Sequence, residues 1–188
     1  ANFASAFNAV LTVTAGADGV GATTSTYSFS GFTDGADSGV NTTAGTDVLL
    51  YKVSDTLIEG RVGGVSGTPA FTLTVNSSGV VTLDQVVSLA HGNTGAVNES
   101  LSLNIAGGQT ITLSRTDAVT DGDGDPAQNT ASLNIAGAIS FLDDAPSIAT
   151  GTVSSTATLQ VDETTLAGDA TANFASAFNA VLTVTAGA

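Results

Sequence analysis

Residues 1–17 of this chain (ANFASAFNAVLTVTAGA) recur without a single change at residues 172–188, a spacing of 171 residues. A match of that length does not arise by chance. It implies a tandem array of period 171, of which this chain covers one period and a short overlap. Solenoid repeats run to roughly 20–50 residues, so a unit this long is expected to be a domain with its own core. Residues 1–146 are expected to carry most of one repeat, and residues 147–188 a linker and the N-terminal strands of the next. The chain is thus expected to begin inside one unit and end inside another. Copies this alike point to a function that grows by adding units, such as length, reach or multivalency. Catalysis seldom gains from that.

Within the unit, strand signals dominate. Residues 9–14 (AVLTVT), 24–30, 47–53, 56–62, 70–76 and 80–89 alternate apolar with polar or run β-branched, as do 99–105, 109–115, 130–141 and 152–161. Turn dipeptides punctuate them: Asp18-Gly19, Asp34-Gly35, Ser78-Gly79 and Gly107-Gly108. Residues 71–81 form the clearest hairpin, with Phe71, Leu73 and Val75 on one face. The hexapeptide SLNIAG occurs at 102–107 and again at 132–137, which predicts a pair of similar strands. Residues 2–9, rich in Ala and Phe, read as one short helical turn. Many short strands with frequent turns predict an all-β fold, an antiparallel β-sandwich of immunoglobulin-like or cadherin-like kind.

Charge narrows the partners. Seventeen acidic residues face three basic ones, a net charge of −14. Such a surface repels phosphate backbones and anionic lipid, which argues against nucleic acid and against membrane insertion, and it favours divalent cations. The chain has no Cys, so it has no disulfide framework and no thiolate site. His91 is its single His, so a His-based metal site or catalytic dyad has no second member, and a structural place at a strand end fits it better. No nucleophile elbow appears among the many serines. Glu59 and Arg61 alternate on one strand and are expected to pair at the surface. An enzyme is not expected.

The sharpest local feature is residues 120–126, TDGDGDP, where Asp121, Asp123 and Asp125 alternate with glycine and Asp117 lies just upstream. Carboxylates at alternate positions on a glycine-permitted tight path can converge on one hard cation. Their mutual repulsion otherwise has to be relieved by water. Both readings stand, a cation site and a solvated acidic hairpin loop. The segment is not an EF-hand, because Pro126 stands where the turn glycine belongs and Ser132 where the bidentate Glu belongs. Two further acidic pairs stand at junctions: Asp143-Asp144 ahead of Ala145-Pro146, and Asp162-Glu163 after a Ser/Thr-rich stretch.

Taken together, Leu49-Leu50-Tyr51, FTLTV at 71–75, GVVTL at 79–83, SLAH at 88–91, VTDGDGD at 119–125, FLDDAP at 141–146 and VDET at 161–164 resemble the long tandem extender repeats of giant, type I-secreted RTX-type bacterial adhesins. The resemblance implies an extracellular, cell-surface location, a role in adhesion or biofilm, and a Ca²⁺-dependent β-sandwich that neighbours identical repeats. It also implies metal roles for Asp121, Asp123, Asp125, Asp143, Asp144, Asp162 and Glu163. Ala145 stands where the family's linker usually has Gly. Two other functions fit the same residues. One is a module that grips glycans or surfaces directly. The other is a homopolymer, in which either copy of the duplicated strand fills the same slot and a neighbouring molecule supplies it.

Overall fold

A computed structural model describes residues 1–14, 16–93 and 98–186. Ala15 of the first duplicated segment, and Gly187 and Ala188 of the second, lie outside the described residues. The chain divides into two compact units, Ala1–Asp143 and Asp144–Ala188.

The first unit opens with a single-turn helix, α1 (Ala4–Asn8), and its described residues then build ten strands: β1 (Val20–Ser30), β2 (Ala36–Asn41), β3 (Asp47–Ser54), β4 (Leu57–Val62), β5 (Pro69–Val75), β6 (Val81–Gln85), β7 (Ser100–Ser102), β8 (Thr112–Asp121), β9 (Pro126–Asn134) and β10 (Ser140–Leu142). All pairings are antiparallel. Strands β2 to β6 form a five-stranded meander in chain order, β1-β8-β9 form a second sheet, and β7 pairs with β10. Alternate residues of each strand point inward, as the period of two requires. Phe29 and Leu113 from the three-stranded sheet and Leu50, Ile58, Phe71 and Leu73 from the meander belong to one core cluster and are essentially solvent-free. The fold is all-β and sandwich-like. Among the described residues, no helix is long and apolar enough to cross a membrane.

One core position shows how tightly the register is set. Gly60 on β4 sits directly opposite Phe71 on β5, and a Cβ there would come 2.4 Å from the Phe71 ring. That ring lies 5.1 Å, centroid to centroid, from Phe141. Glycine in a strand interior often marks such a close approach. Gly60→Ala is therefore expected to cost about 1–3 kcal/mol by overpacking. Gly137→Ala, where nothing lies within 4 Å, should stay within about 0.5 kcal/mol. Urea unfolding of the two variants checks the contrast.

The expected hairpin at 71–81 forms through β5 and β6, with Phe71, Leu73 and Val75 buried. The Asn76 side chain closes its turn, accepting from the N–H groups of Ser78 (2.9 Å) and Val80 (3.0 Å). Glu59 and Arg61 pair at 2.7 Å. Elsewhere the strand expectations need correcting. Residues 9–14 form no strand, and neither do 152–161. The run 130–141 divides into β9, a 3₁₀ turn at Ala136–Ala138 and β10. The SLNIAG echo is likewise not a pair of strands. In both places a strand ends, the Ile (Ile105, Ile135) is buried, and the chain turns through a 3₁₀ helix. The hexapeptide specifies a strand end and an anchor.

The second unit contains β11 (Ser147–Thr150), a 3₁₀ turn at Glu163–Thr165, helix α2 (Ala175–Asn179) and β12 (Leu182–Thr185). Here β11 and β12 pair antiparallel, Ser147 opposite Thr185, Ile148 opposite Val184, Ala149 opposite Thr183 and Thr150 opposite Leu182.

Candidate metal centre

Strands β8 and β9 are joined by the acidic turn, and the carboxylate of Asp121 organises it. Asp121 Oδ1 accepts from the backbone N–H of Gly124 (3.1 Å) and of Asp125 (2.9 Å). The Asp121 N–H donates to the Asp125 carbonyl at 3.1 Å and closes the loop. Gly124 has φ +99°, a left-handed backbone that a side chain would strain. The neighbouring Asp123 side chain, followed by the N–H groups of Asp125, Gly124 and Asp123, holds the Asp121 carboxyl below the usual carboxylate range.

A third carboxylate reaches this turn from a distant part of the sequence. Strand β1 pairs with β8, and Val20 sits opposite Asp121. The turn just before β1 carries Asp18 to the same place, with Gly19 at φ +78° completing it. Gly122 lets the two loops touch, since a Cβ there would lie 2.3 Å from the Asp18 carbonyl oxygen. As a result Asp18, Asp121 and Asp123 each offer a carboxylate oxygen, and these oxygens lie within 4.8 Å of one another. Asp121 is half-buried and the other two are exposed.

Three carboxylates this close repel one another, and either water or a cation relieves them. The donors are all hard oxygens, which suits Ca²⁺ or Mg²⁺ better than a soft or borderline metal. The protein could hold such an ion through Asp18, Asp121 and Asp123.

Asp125 serves the turn through its backbone, and its side chain is not part of this cluster. Asp117 is engaged elsewhere, with Arg115 at 2.7 and 2.9 Å and Ser25 at 2.5 Å. Asp143 ends the first unit, and its N–H donates to the Glu99 carbonyl at 2.8 Å. Asp144 begins the second unit, and Pro146 leads directly into β11. Asp162 caps its own 3₁₀ turn, accepting from the N–H and the hydroxyl of Thr164, both at 2.8 Å. Those two bonds, the backbone one first, hold its carboxyl below the usual range. Glu163 is exposed in the first turn of that helix. His91 has a side chain only 7% exposed, with Nδ1 3.9 Å from Glu99 Oε1 and lacking a hydrogen bond.

Asp18 escaped the sequence reading. Its signal, the Asp18-Gly19 turn, was visible, but the β1–β8 register that brings it to Asp121 is a pairing across about a hundred residues.

A family model described as a domain of unknown function, DUF5801, matches residues 1–135. No curated protein and no solved structure matches the chain.

Proposed function

The chain belongs to the DUF5801 family, a domain of unknown function, and from that premise we propose that it is a structural extender unit of an extracellular, tandemly repeated bacterial adhesin, stiffened by Ca²⁺. The observation that carries this reading is the unchanged recurrence of residues 1–17 at 172–188. A function that depends on length is served by adding near-identical domains, and the partners of each unit are then its own neighbours. An acidic chain, with seventeen acidic residues against three basic ones, suits an external, calcium-rich setting. The carboxylates of Asp18, Asp121 and Asp123 support the calcium role, since an ion there would tie the turn before β1 to the β8–β9 hairpin.

Extracellular calcium modules bind at roughly 10⁻⁴–10⁻³ M. Such a site stays empty at cytosolic calcium and fills outside the cell, which couples order to location. At millimolar excess of Ca²⁺ over the dissociation constant, one site adds about 1.5–3 kcal/mol, a rise of roughly 4–10 °C in unfolding midpoint for a domain of this size. Thermal unfolding in EDTA and in 10 mM CaCl₂ tests this. The rise should vanish in Asp18→Asn and in Asp123→Asn, and persist in Asp162→Asn. An identical midpoint in EDTA and calcium sinks the metal role and leaves a plain acidic sandwich. A single unit that binds a glycan array would instead place the function in ligand capture.

A further inference from the structure

Strands β1, β8 and β9 turn one face to the core and the other outward. Their registers gather odd-numbered residues on the inner face, with Phe29 opposite Leu113 and Tyr27 opposite Arg115, all four buried. The even-numbered residues between them line up in rows across the outer face. Two rows hold only hydroxyl side chains, Thr26–Thr116–Thr130 and Ser28–Ser114–Ser132. The rows on either side are Thr24–Ala118–Gln128 and Ser30–Thr112–Asn134. On the edge strands β1 and β9 these positions are exposed, apart from half-buried Ser28. On β8, flanked from both sides, they are half-buried.

Two properties set this face apart. It carries no charge, although the chain has seventeen acidic residues and a net charge of −14. The acidic run Asp121, Asp123 and Asp125 lies past one end of the rows, where β8 turns into β9. Its central hydroxyls are also paired within the sheet, Ser114 Oγ with Ser132 Oγ at 2.8 Å and Thr116 Oγ1 with Thr130 Oγ1 at 2.7 Å. Hydroxyls already paired have fewer bonds to water to give up when the face is covered, and the threonine methyls gain by being covered.

We propose that this face is a lateral contact surface, and that its occupant is the same face of a second copy of the chain. Two chains this acidic repel each other over most approaches, and contact is least opposed where neither presents a charge. A two-fold, face-to-face pairing with the strands of the two copies running in opposite directions sets their acidic turns at opposite ends. Parallel pairing would stack those turns on each other. A strand spacing of about 4.8 Å and a rise of about 3.4 Å per residue give the rows a footprint of roughly 14 by 24 Å, about 340 Å² on each partner. That is under half of the ~800 Å² per partner of a stable complex, so one unit pairs weakly. In a tandem array the contact would recur in every unit and gain by multivalency. Ala1 is bonded to Val81 of β6, and Asp143 to Glu99 just before β7, so neighbours along such an array join the unit at strands other than β1, β8 and β9. The pairing needs neither calcium nor an adhesive role.

Sedimentation equilibrium of the chain in EDTA tests this. The average mass should climb from monomer toward dimer as the protein approaches about 1 mM, the range of a weak contact. It should climb further as NaCl is raised from about 20 to about 500 mM, because salt screens the like-charge repulsion. Thr116→Asp sets a charge at the centre of the face and should weaken association about tenfold or more, since pairing would bury like charges together. Thr116→Lys should do the same, and an equimolar mixture of the two variants should pair several-fold better than either alone. Thr74→Asp, which adds the same charge at an exposed position of β5 in the meander, should associate like the wild type. Unchanged urea midpoints confirm that the variants are folded.

A chain that stays monomeric at the highest concentration and salt would overturn the proposal. So would Thr116→Asp associating as well as Thr74→Asp, or a mixture that pairs no better than its components. A monomer that binds a neutral polysaccharide, and loses it in Thr116→Asp, would give the face to a carbohydrate instead.

Discussion

Replacing Arg115 with Ala is expected to destabilise the first unit by about 3–5 kcal/mol, because it strands a buried carboxylate. The Arg115 side chain is 4% exposed and that of Asp117 12%, and their ion pair spans 2.7 Å. The guanidinium is held from the other side by the Asn8 side chain at 2.5 Å, so the pair also fastens the end of α1 to β8. Burial pushes the Asp117 carboxyl up, but its bonds to Arg115 and to the Ser25 hydroxyl outweigh that and leave it below the usual range. A carboxyl with a lowered folded pKa contributes stability above its unfolded value of about 3.9, and that stability is lost as pH falls through the folded value. The wild type should therefore weaken in acid. In Arg115→Ala the remaining burial raises the carboxyl instead, so the deficit should be largest at neutral pH and shrink as Asp117 protonates. Replacing both residues with apolar ones, Arg115→Met with Asp117→Leu, should recover much of the loss. Urea unfolding at pH 7 and pH 3 reads all three outcomes. A constant deficit at both pH values would mean that Arg115 acts through packing alone.

What could be read from the sequence divides along physical lines. Strands whose alternation is carried by Leu, Val and Phe were legible, as in Asp47–Ser54 and Pro69–Val75. Strand Ala36–Asn41 was not, because one of its inward positions is Ser38. That hydroxyl satisfies itself on the Val48 carbonyl at 2.5 Å, so a polar residue occupies a core place at no cost in hydrogen bonding. Gly39 next to it, at φ +77°, reads as a turn but permits a close approach to Asn104. Residues 152–161 erred the other way. Their Ser, Thr and Val content favours strand, yet β propensity records fit to a neighbouring strand, and among the described residues none is paired with them. At the acidic site, Asp121 and Asp123 were marked by spacing within one loop. The third carboxylate of the cluster, Asp18, depends on a register that local pattern does not encode. Asp162 illustrates the converse. Its position in VDET marked it as notable, while its local geometry gives it a cap to make on Thr164 without any metal.

The duplicated segment offers an internal control that few chains provide, and it yields the second large effect. Phe7→Ala should cost about 3–5 kcal/mol, the usual range for emptying a buried aromatic site, while Phe178→Ala should stay within about 0.5 kcal/mol. Both residues stand at the same position of the same five-residue helix in the same 17-residue sequence. Phe7 is 4% exposed and packs edge-on to Tyr27, with centroids 5.9 Å apart, whereas Phe178 is 60% exposed. Any difference between the two variants thus comes from tertiary surroundings, since propensity, capping and nearest neighbours are held constant. The chain has no Trp and two Tyr, Tyr27 and Tyr51, both in the first unit. Tyrosine fluorescence therefore follows that unit alone, and Phe7→Ala should perturb it directly through Tyr27. Equal and small losses for both variants would mean that the first copy is held by its backbone contacts, Phe3 N–H to the Gly79 carbonyl (3.0 Å) and Val81 N–H to the Ala1 carbonyl (2.7 Å), with Phe7 adding little. That result would remove the anchored core that distinguishes the two copies.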